Sequence, residues 1–523
     1  MTTAKQIVLE AGQKKDTGSL NKPVKFWVYK ITSKSSGEWK IEHRKFIEHL
    51  RYMGFRRYDI GVNYIFIRIK DHILNEVQIH IIQDILIEYI SKLDDQIEPE
   101  IIHEDKTRNK LTRNELLSKF YTSNTLYFND KKMSFLGKEE NLVFNTDTKE
   151  NGFIYYSNCF VKCTSTGYEC FPYSSLSGYV FRNQIKDRKF IKGLSDGMFK
   201  SFIYNISGKN DQRFESLQTM IGYLLHSFFD TKMKAVNLTD STISENAEGR
   251  TGKTLVGHAI SKIKNVCEIS GKDFDPGNKH KYATAKLDTQ IVFLNDLKKR
   301  FDFENLFNDI SDAITIDQKN MQPFTITAKM LIASNDTFRI AGASAKDRVI
   351  EFELANYYNA QFSPIDEFGM WFFTDWDENE WSKFDNFMME CLTQYLKYGI
   401  IEADSINLNK RKQISSTNRD FVEFMDEKIK DGSLRCGIDY DKTSLHDEFL
   451  NDYPDYKLDK WLKTTGNFIK YFKNYVTYSS ELAGVPKERK SNGRSLIRIE
   501  KDGDKVQKLP FEDNEDVIKE LPF

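Results

Sequence analysis

Apolar residues change rhythm along this 523-residue chain. Over residues 1–190 helical and alternating spacings mix. Ile79, Ile82, Leu86, Tyr89 and Leu93 recur at the helical period and predict a buried helix over 79–93, and residues 38–53 read as an amphipathic helix. Residues 58–69, 153–161 and 169–173 read as strands. Between 195 and 229 Met198, Phe202, Ile203, Leu217, Ile221, Leu224 and Leu225 keep helical spacing, which predicts a helical collar over 191–230. From 231 to 400 the pattern becomes near-continuous apolar runs at 233–238, 289–294 and 330–334. Such runs are the mark of strands covered on both faces, hence of a parallel α/β sheet. Past 401 helical spacing returns at 415–429, 445–453, 458–462 and 468–478, followed by a strand at 495–499. A basic turn before that last strand predicts a winged-helix domain over 401–505, ahead of a tail at 506–523.

The polar residues that interrupt the middle region carry the chemistry. Asn246-Ala247-Glu248-Gly249-Arg250-Thr251-Gly252-Lys253-Thr254 follows the first apolar run and opens into a helical stretch. A glycine turn between strand and helix points backbone N–H groups at a polyphosphate, assisted by the positive helix end. Lys253 would reach the β/γ-phosphates and Thr254 would ligate Mg²⁺, so the loop predicts bound ATP and Mg²⁺. The usual first glycine is Ala247 here, and Gly249 supplies the second glycine. The run at 289–294 ends in Asn295-Asp296, which delivers Asp296 to the sheet edge as a Mg²⁺ ligand. The run at 330–334 ends in Asn335, a neutral amide suited to orienting water. Alternating segments around 313–324 predict a hairpin with Lys319 near its tip, and Arg348 precedes a further strand. Each residue alone has an ordinary explanation; their order within about 100 residues points to a nucleotide site.

Composition narrows the class. The formal net charge is −1 and the pI near 6.8, so nucleic acid must be met by local patches. The basic excess is local: residues 470–498 hold Lys470, Lys473, Lys487, Arg489, Lys490, Arg494 and Arg498 against Glu481 and Glu488. The recognition helix would be 468–478, with Lys487, Arg489, Lys490 and Arg494 in the wing. Cys159, Cys163 and Cys170 lie on a predicted hairpin without a fourth ligand, which disfavours zinc. The scattered cysteines, the lack of a signal-peptide pattern and the lack of an apolar run near membrane length predict a reducing cytoplasm and no membrane partner. Residues 1–200 contain no D-x-D pair, so primase chemistry finds no support there.

The ordered motifs resemble superfamily 3 helicases, compact AAA+-like ATPases, and in particular the poxvirus primase-helicase type carried by phages and mobile elements of Bacteroidetes. The resemblance rests on residues 248–254, 293–299, 301–307, 316–320 and 334–337, is shared by 364–369 and 371–381, and is weaker over 155–185. It implies a P-loop at Glu248, Gly249, Arg250, Thr251, Gly252, Lys253 and Thr254, and a magnesium-holding strand ending at Asp296. It further implies a DNA-contacting hairpin at Lys319 and Asn320, a sensor at Asn335 and an arginine finger, Arg348, acting on the neighbouring subunit. Such proteins form hexameric rings around single-stranded or forked DNA. This sequence departs at Asn295, where the family usually has an acidic residue. Either Asp296 does both jobs, or Glu304 helps, or hydrolysis is slow. The alternatives are an origin-binding or origin-opening ATPase without processive unwinding and a bifunctional primase-helicase. The C-terminal Leu521-Pro522-Phe523, after an acidic stretch, looks like the tip of bacterial single-strand-binding proteins and implies docking to replication partners, although Lys519 departs from that pattern.

Overall fold

The structure, a computed structural model, describes residues 22–33, 36–60, 63–102, 108–139, 142–230, 232–243, 250–298, 301–319, 322–335, 347–479, 481–482, 484–491 and 493–501. The expectations placed on Glu248, Gly249, Asn320 and the tail 506–523 lie outside these residues. The molecule is mixed α/β, built around a five-stranded parallel sheet. No helix among the described residues is long and apolar enough to cross a membrane.

The N-terminal part packs hairpins and helices on a core that includes Phe26, Phe46, Leu50, Ile82, Leu86 and Phe120. The helix expected over 79–93 is Ile79–Ser91. The helix expected over 38–53 starts only at His43. Ser36–Ile41 instead pairs antiparallel with Trp27–Ser33 and turns Trp39 inward. Alternate burial of a strand face won there over a helical stripe. The stretch 58–69 is likewise two antiparallel strands, Phe55–Ile60 and Asn63–Lys70.

Two helices precede the sheet, α1 (Met198–Ile206) and α2 (Asp211–Leu225). Strand β1 (Ala235–Asp240) follows, then α3 (Lys253–Ser261) and β2 (Val266–Ser270). β3 (Ile291–Leu297), β4 (Lys329–Ser334) and β5 (Val349–Leu354) complete the sheet. Every pairing is parallel, in the order β2-β3-β4-β1-β5. β1 and β4 are buried at every position, their polar residues Asn237, Thr239, Asp240, Lys329 and Ser334 included, as strands covered on both faces are. A long helix, α4 (Glu378–Tyr398), packs against α2.

Helices α1, α2 and α4 share one apolar core with the strands, joined by Ile154, Tyr156, Val161 and Cys163 from the hairpin strands Gly152–Tyr156 and Phe160–Thr164. The boundaries expected at 190 and 230 therefore fall inside a continuous core, because the helices read as a collar are apolar enough to be covered by the sheet. Phe293 sits at its centre, fully buried against α3, where a Cβ on Gly257 would come within 2.3 Å of its ring. Phe293→Ala would cost about 3–5 kcal/mol.

The C-terminal part opens with α5 (Leu408–Ser416) and α6 (Arg419–Lys430). These replace the single helix expected over 415–429, because the Asn418 side chain accepts the Phe421 N–H and starts a new helix. β6 (Asp439–Asp441), α7 (Lys442–Asp452), α8 (Thr465–Tyr478), β7 (Gly484–Ser491) and β8 (Arg494–Lys501) follow. The three strands form an antiparallel sheet in the order β6-β8-β7 over a core of Phe421, Phe449, Phe468, Phe472 and Ile497. Residues 458–462, expected as helix, form turns: the Asp459 side chain accepts the N–H groups of Trp461 and Leu462.

Candidate functional site

At the C-terminal edge of the parallel sheet several sequence-predicted residues meet. The loop after β1 returns through Arg250 at φ +66° and Gly252 at φ +105°. Left-handed backbone at two positions in three is how a chain turns its N–H groups inward. A side chain at Gly252 would also meet the Phe202 ring at 2.6 Å, so only glycine fits. Lys253, the first residue of α3, is 9% exposed and pairs with Asp240 Oδ1 at 2.5 Å. Burial pulls its pKa below the ordinary lysine value, and Asp240 acts against that shift. Thr251 donates to the same carboxylate oxygen. The Thr254 hydroxyl points the other way and donates to Asn295 Oδ1 at 3.0 Å.

β3 carries an irregularity beside this loop. Its register with β4 shifts between Leu294 and Leu297, and Asp296 takes φ +59°. A bulge at a strand end re-aims a side chain, and aspartate tolerates the left-handed region better than most residues. Asp296 is therefore turned to the sheet edge, where its carboxylate takes the Lys272 ammonium at 2.6 Å and lies 3.5 Å from Asn335 Nδ2. Asn335 Oδ1 is buried with no hydrogen-bond partner among the described residues. A buried acceptor left open costs about 1–3 kcal/mol, which a donor from a water or a ligand would recover.

The sequence signal missed three participants. Asp240, at the end of β1, holds Lys253. Glu268, on β2, accepts from Asn295 Nδ2 at 2.8 Å and so puts a carboxylate beside the amide. Glu304, the helper expected there, is exposed in the short turn Phe303–Leu306. Arg411, on α5 and 9% exposed, donates to Asp240 O and, at 2.8 Å, to Asn335 O. One guanidinium from the C-terminal part thus grips the ends of β1 and β4. On the same helix Gln413 Nε2 donates to Tyr475 O of α8 at 3.2 Å.

Arg348 lies elsewhere. Its carbonyl accepts the N–H of Ala235, the first residue of β1, so it stands at the opposite edge of the sheet from Lys253. Six residues of β1 separate the two edges, roughly 20 Å at 3.3 Å per residue. Its Nε donates to Ser311 Oγ at 3.0 Å and its guanidinium lies 5.1 Å over the Phe307 ring. Lys319 is exposed between the antiparallel strands Ile314–Ile316 and Phe324–Ile326, whose turn is tied down by Gln318 donating to Ala283 O and Ala285 O.

The basic residues assigned to the C-terminal part divide into two groups. Lys487 pairs with Glu500 at 2.6 Å, Arg489 with Asp439, and Lys473 with Glu488, which also takes Lys442. Hydrogen bonds from Lys442 and Lys473 hold the Glu488 carboxyl down to about 2. Lys470, Lys490 and Arg494 are exposed and form no ion pair among the described residues.

No family model matches the chain, and no curated protein matches it. Among solved structures it is similar to an A-form apo structure of the NrS-1 C-terminal region, with TM-score 0.37 and 13% identity over 87% of this chain and 98% of that one. A second apo structure of that region gives TM-score 0.35 and 11% identity over 87% and 97%. Another A-form structure gives 0.32 and 12% over 75% and 92%. At that level of superposition no chemistry is transferred, and the site is read from its own side chains.

Proposed function

We propose that the chain is an ATP-dependent DNA helicase of the superfamily 3, AAA+-like P-loop kind, working as a ring on single-stranded or forked DNA. The observation that carries this reading is the meeting of Lys253, Thr254, Asn295, Asp296 and Asn335 at one sheet edge, linked by Thr254–Asn295 and Asp296–Asn335 contacts. A buried lysine and a left-handed glycine turn suit a triphosphate, and the open acceptor on Asn335 suits a water beside it. The Thr254 hydroxyl and the Asp296 carboxylate are hard oxygen donors that fit Mg²⁺, and Asp296 already attracts a cation in Lys272. Bound there, Mg²⁺ would neutralise phosphate charge.

The chain's own residues divide the remaining work. Lys253 leaves Asp240 for phosphate oxygens, and Asn335 Oδ1 accepts from the attacking water. Glu268 supplies the carboxylate that Asn295 does not, which weighs against slow hydrolysis and so removes the main support for an origin-opening ATPase without processive unwinding. Arg348, too far to serve its own loop, acts on the neighbouring subunit's site. Helix, strand, two helices and two long strands in the order of α6–β8 support a winged-helix end, and exposed Lys319 supports a hairpin contact to DNA. Backbone contacts of this kind are sequence-tolerant and weaken with salt.

The test is phosphate release and strand displacement on a fork with Mg²⁺ and ATP. The wild-type chain is expected to do both and Asp296→Asn neither. A wild-type chain that releases no phosphate contradicts the proposal.

A further inference from the structure

Two of the four wing cations, Lys487 and Arg489, are paired with carboxylates of the same sheet. A second group of exposed lysines without such partners lies in the turn that leads into α8 and at the start of that helix. Lys457, Lys460, Lys463 and Lys470 are exposed, and none has a carboxylate within ion-pair distance among the described residues. Between them stand two apolar side chains that the fold leaves in water: Leu458 is 91% exposed and Trp461 47%. The segment reads Lys457-Leu458-Asp459-Lys460-Trp461-Leu462-Lys463.

The turn is firmly held even though these side chains are outside. Asp459 accepts the Trp461 and Leu462 N–H groups at 2.7 and 2.6 Å. Trp461 O accepts from Asn467 Nδ2 at 3.0 Å, and Leu462 is buried, its carbonyl 2.8 Å from His446 Nε2. Lys470 Nζ lies 5.2 Å over the indole ring. A tryptophan whose backbone is fixed on both sides leaves only its side-chain torsions to be ordered on binding, which lowers the cost of a stacking contact on the ring face away from Lys470.

We infer that this turn binds single-stranded DNA, with an unpaired base stacked on Trp461 and the flanking phosphates met by Lys457, Lys460, Lys463 and Lys470. Base–aromatic stacking tolerates any sequence, since every base has a π-face, and a ring of lysines supplies the backbone attraction. A duplex keeps its base faces inside the helix, so the surface selects unpaired strand or a frayed fork end. Leu458 lies alongside as an apolar contact for the neighbouring sugar or base. The inference rests on the DNA-binding half of the proposed function and needs no ATP hydrolysis.

The experiment is a titration of the full chain with a single-stranded oligonucleotide carrying 2-aminopurine, without nucleotide, alongside a duplex of equal length. Trp461→Ala is expected to weaken single-strand binding about tenfold and to abolish quenching of the probe, and Trp461→Phe to retain most of both. Lys460→Ala with Lys463→Ala should keep the quench and flatten the salt dependence by about 1.4 in log–log slope. Trp461→Ala binding single strand as wild type does overturns the inference, and so does a loss of duplex binding as large as the loss of single-strand binding. A chain that hydrolyses no ATP yet loses single-strand binding with Trp461→Ala keeps this site and refutes the ATPase reading. A chain that hydrolyses and unwinds with Trp461→Ala binding unchanged does the reverse.

Discussion

The two edges of the parallel sheet both gather charge and treat it differently. At the N-terminal edge Lys329 is 4% exposed, donates to Tyr223 O at 2.7 Å and lies 3.9 Å over the Tyr223 ring. Lys264, 3% exposed, donates to Ser227 Oγ at 3.0 Å and stands 3.8 Å from Asp147 Oδ2. His226 Nε2 is 2.8 Å from Thr148 O. These groups are packed among aromatic rings and backbone carbonyls and have nowhere else to go. At the C-terminal edge Lys253 shares its carboxylate with Thr251, Asp296 is half-exposed, and Asn335 Oδ1 has no partner among the described residues. A buried lysine is therefore not by itself a sign of chemistry. What separates Lys253 from Lys329 is a neighbourhood whose hydrogen bonds can be exchanged for those of a ligand.

That contrast breaks most visibly at Lys253. Lys253→Ala should abolish phosphate release, whereas Lys329→Met, at the closed edge, should leave the turnover of folded protein near wild type. Equal loss in both would erase the distinction. Next in size is Glu268→Gln, expected to slow hydrolysis about 100-fold while ATP binding measured by filter retention stays intact, as for removal of a group that positions or accepts a proton. A rate within twofold of wild type would return that task to Asp296 alone.

Arg411→Ala should act on stability and coupling. It leaves the carbonyls of Asp240 and Asn335 without their shared donor, a loss of about 1–3 kcal/mol. Hydrogen exchange is expected to quicken at the ends of β1 and β4 and in α8, joined through Gln413. Faster exchange at the N-terminal edge instead would place the grip elsewhere.

The smallest expected effect is a slope with pH. Burial lowers the Lys329 pKa to about 7, well under its unfolded value. Between pH 7 and roughly 10 the unfolded chain binds the extra proton, so this group makes stability rise with pH across that window. Below about 7 both states hold the proton and the full burial cost is present. Denaturant midpoints of Lys329→Met against wild type should diverge at the low end and converge at the high end. Parallel curves would mean that Lys329 is charged in the fold.

The sheet-edge residues that could be read in the sequence were those at the ends of long apolar runs. Asp296 and Asn335 each close a run that a buried strand explains, and Gly252-Lys253-Thr254 opens the helix that follows the first run. Asp240 also closes an apolar run, but nothing in the sequence marks its carboxylate as the partner of Lys253. Glu268 and Arg411 could not be read, because they are joined to the site by strand pairing and by a helix far along the chain. Arg411 is 171 residues from the carbonyl of Asp240 that it holds. Charge was legible as a count and illegible as a field: β8 brings Glu500 to Lys487, and β6 brings Asp439 to Arg489, which spends much of the wing's positive charge. The strand Ser36–Ile41 was lost for a related reason, since Trp39 fits a helical stripe as well as a strand face until its partner strand is known.

The central claim, that each site is completed by its neighbour, is tested most directly by mixing two inactive variants. In the proposed reading Lys253→Ala is expected to lose ATP, and Arg348→Ala to hold it but to lack the arginine that would stabilise charge in hydrolysis. Mixed in equal amounts and allowed to exchange subunits, they should regain about a quarter of the wild-type rate, because that share of interfaces pairs an intact loop with an intact arginine. A mixture as inactive as its components, or Arg348→Ala hydrolysing normally by itself, would contradict the account.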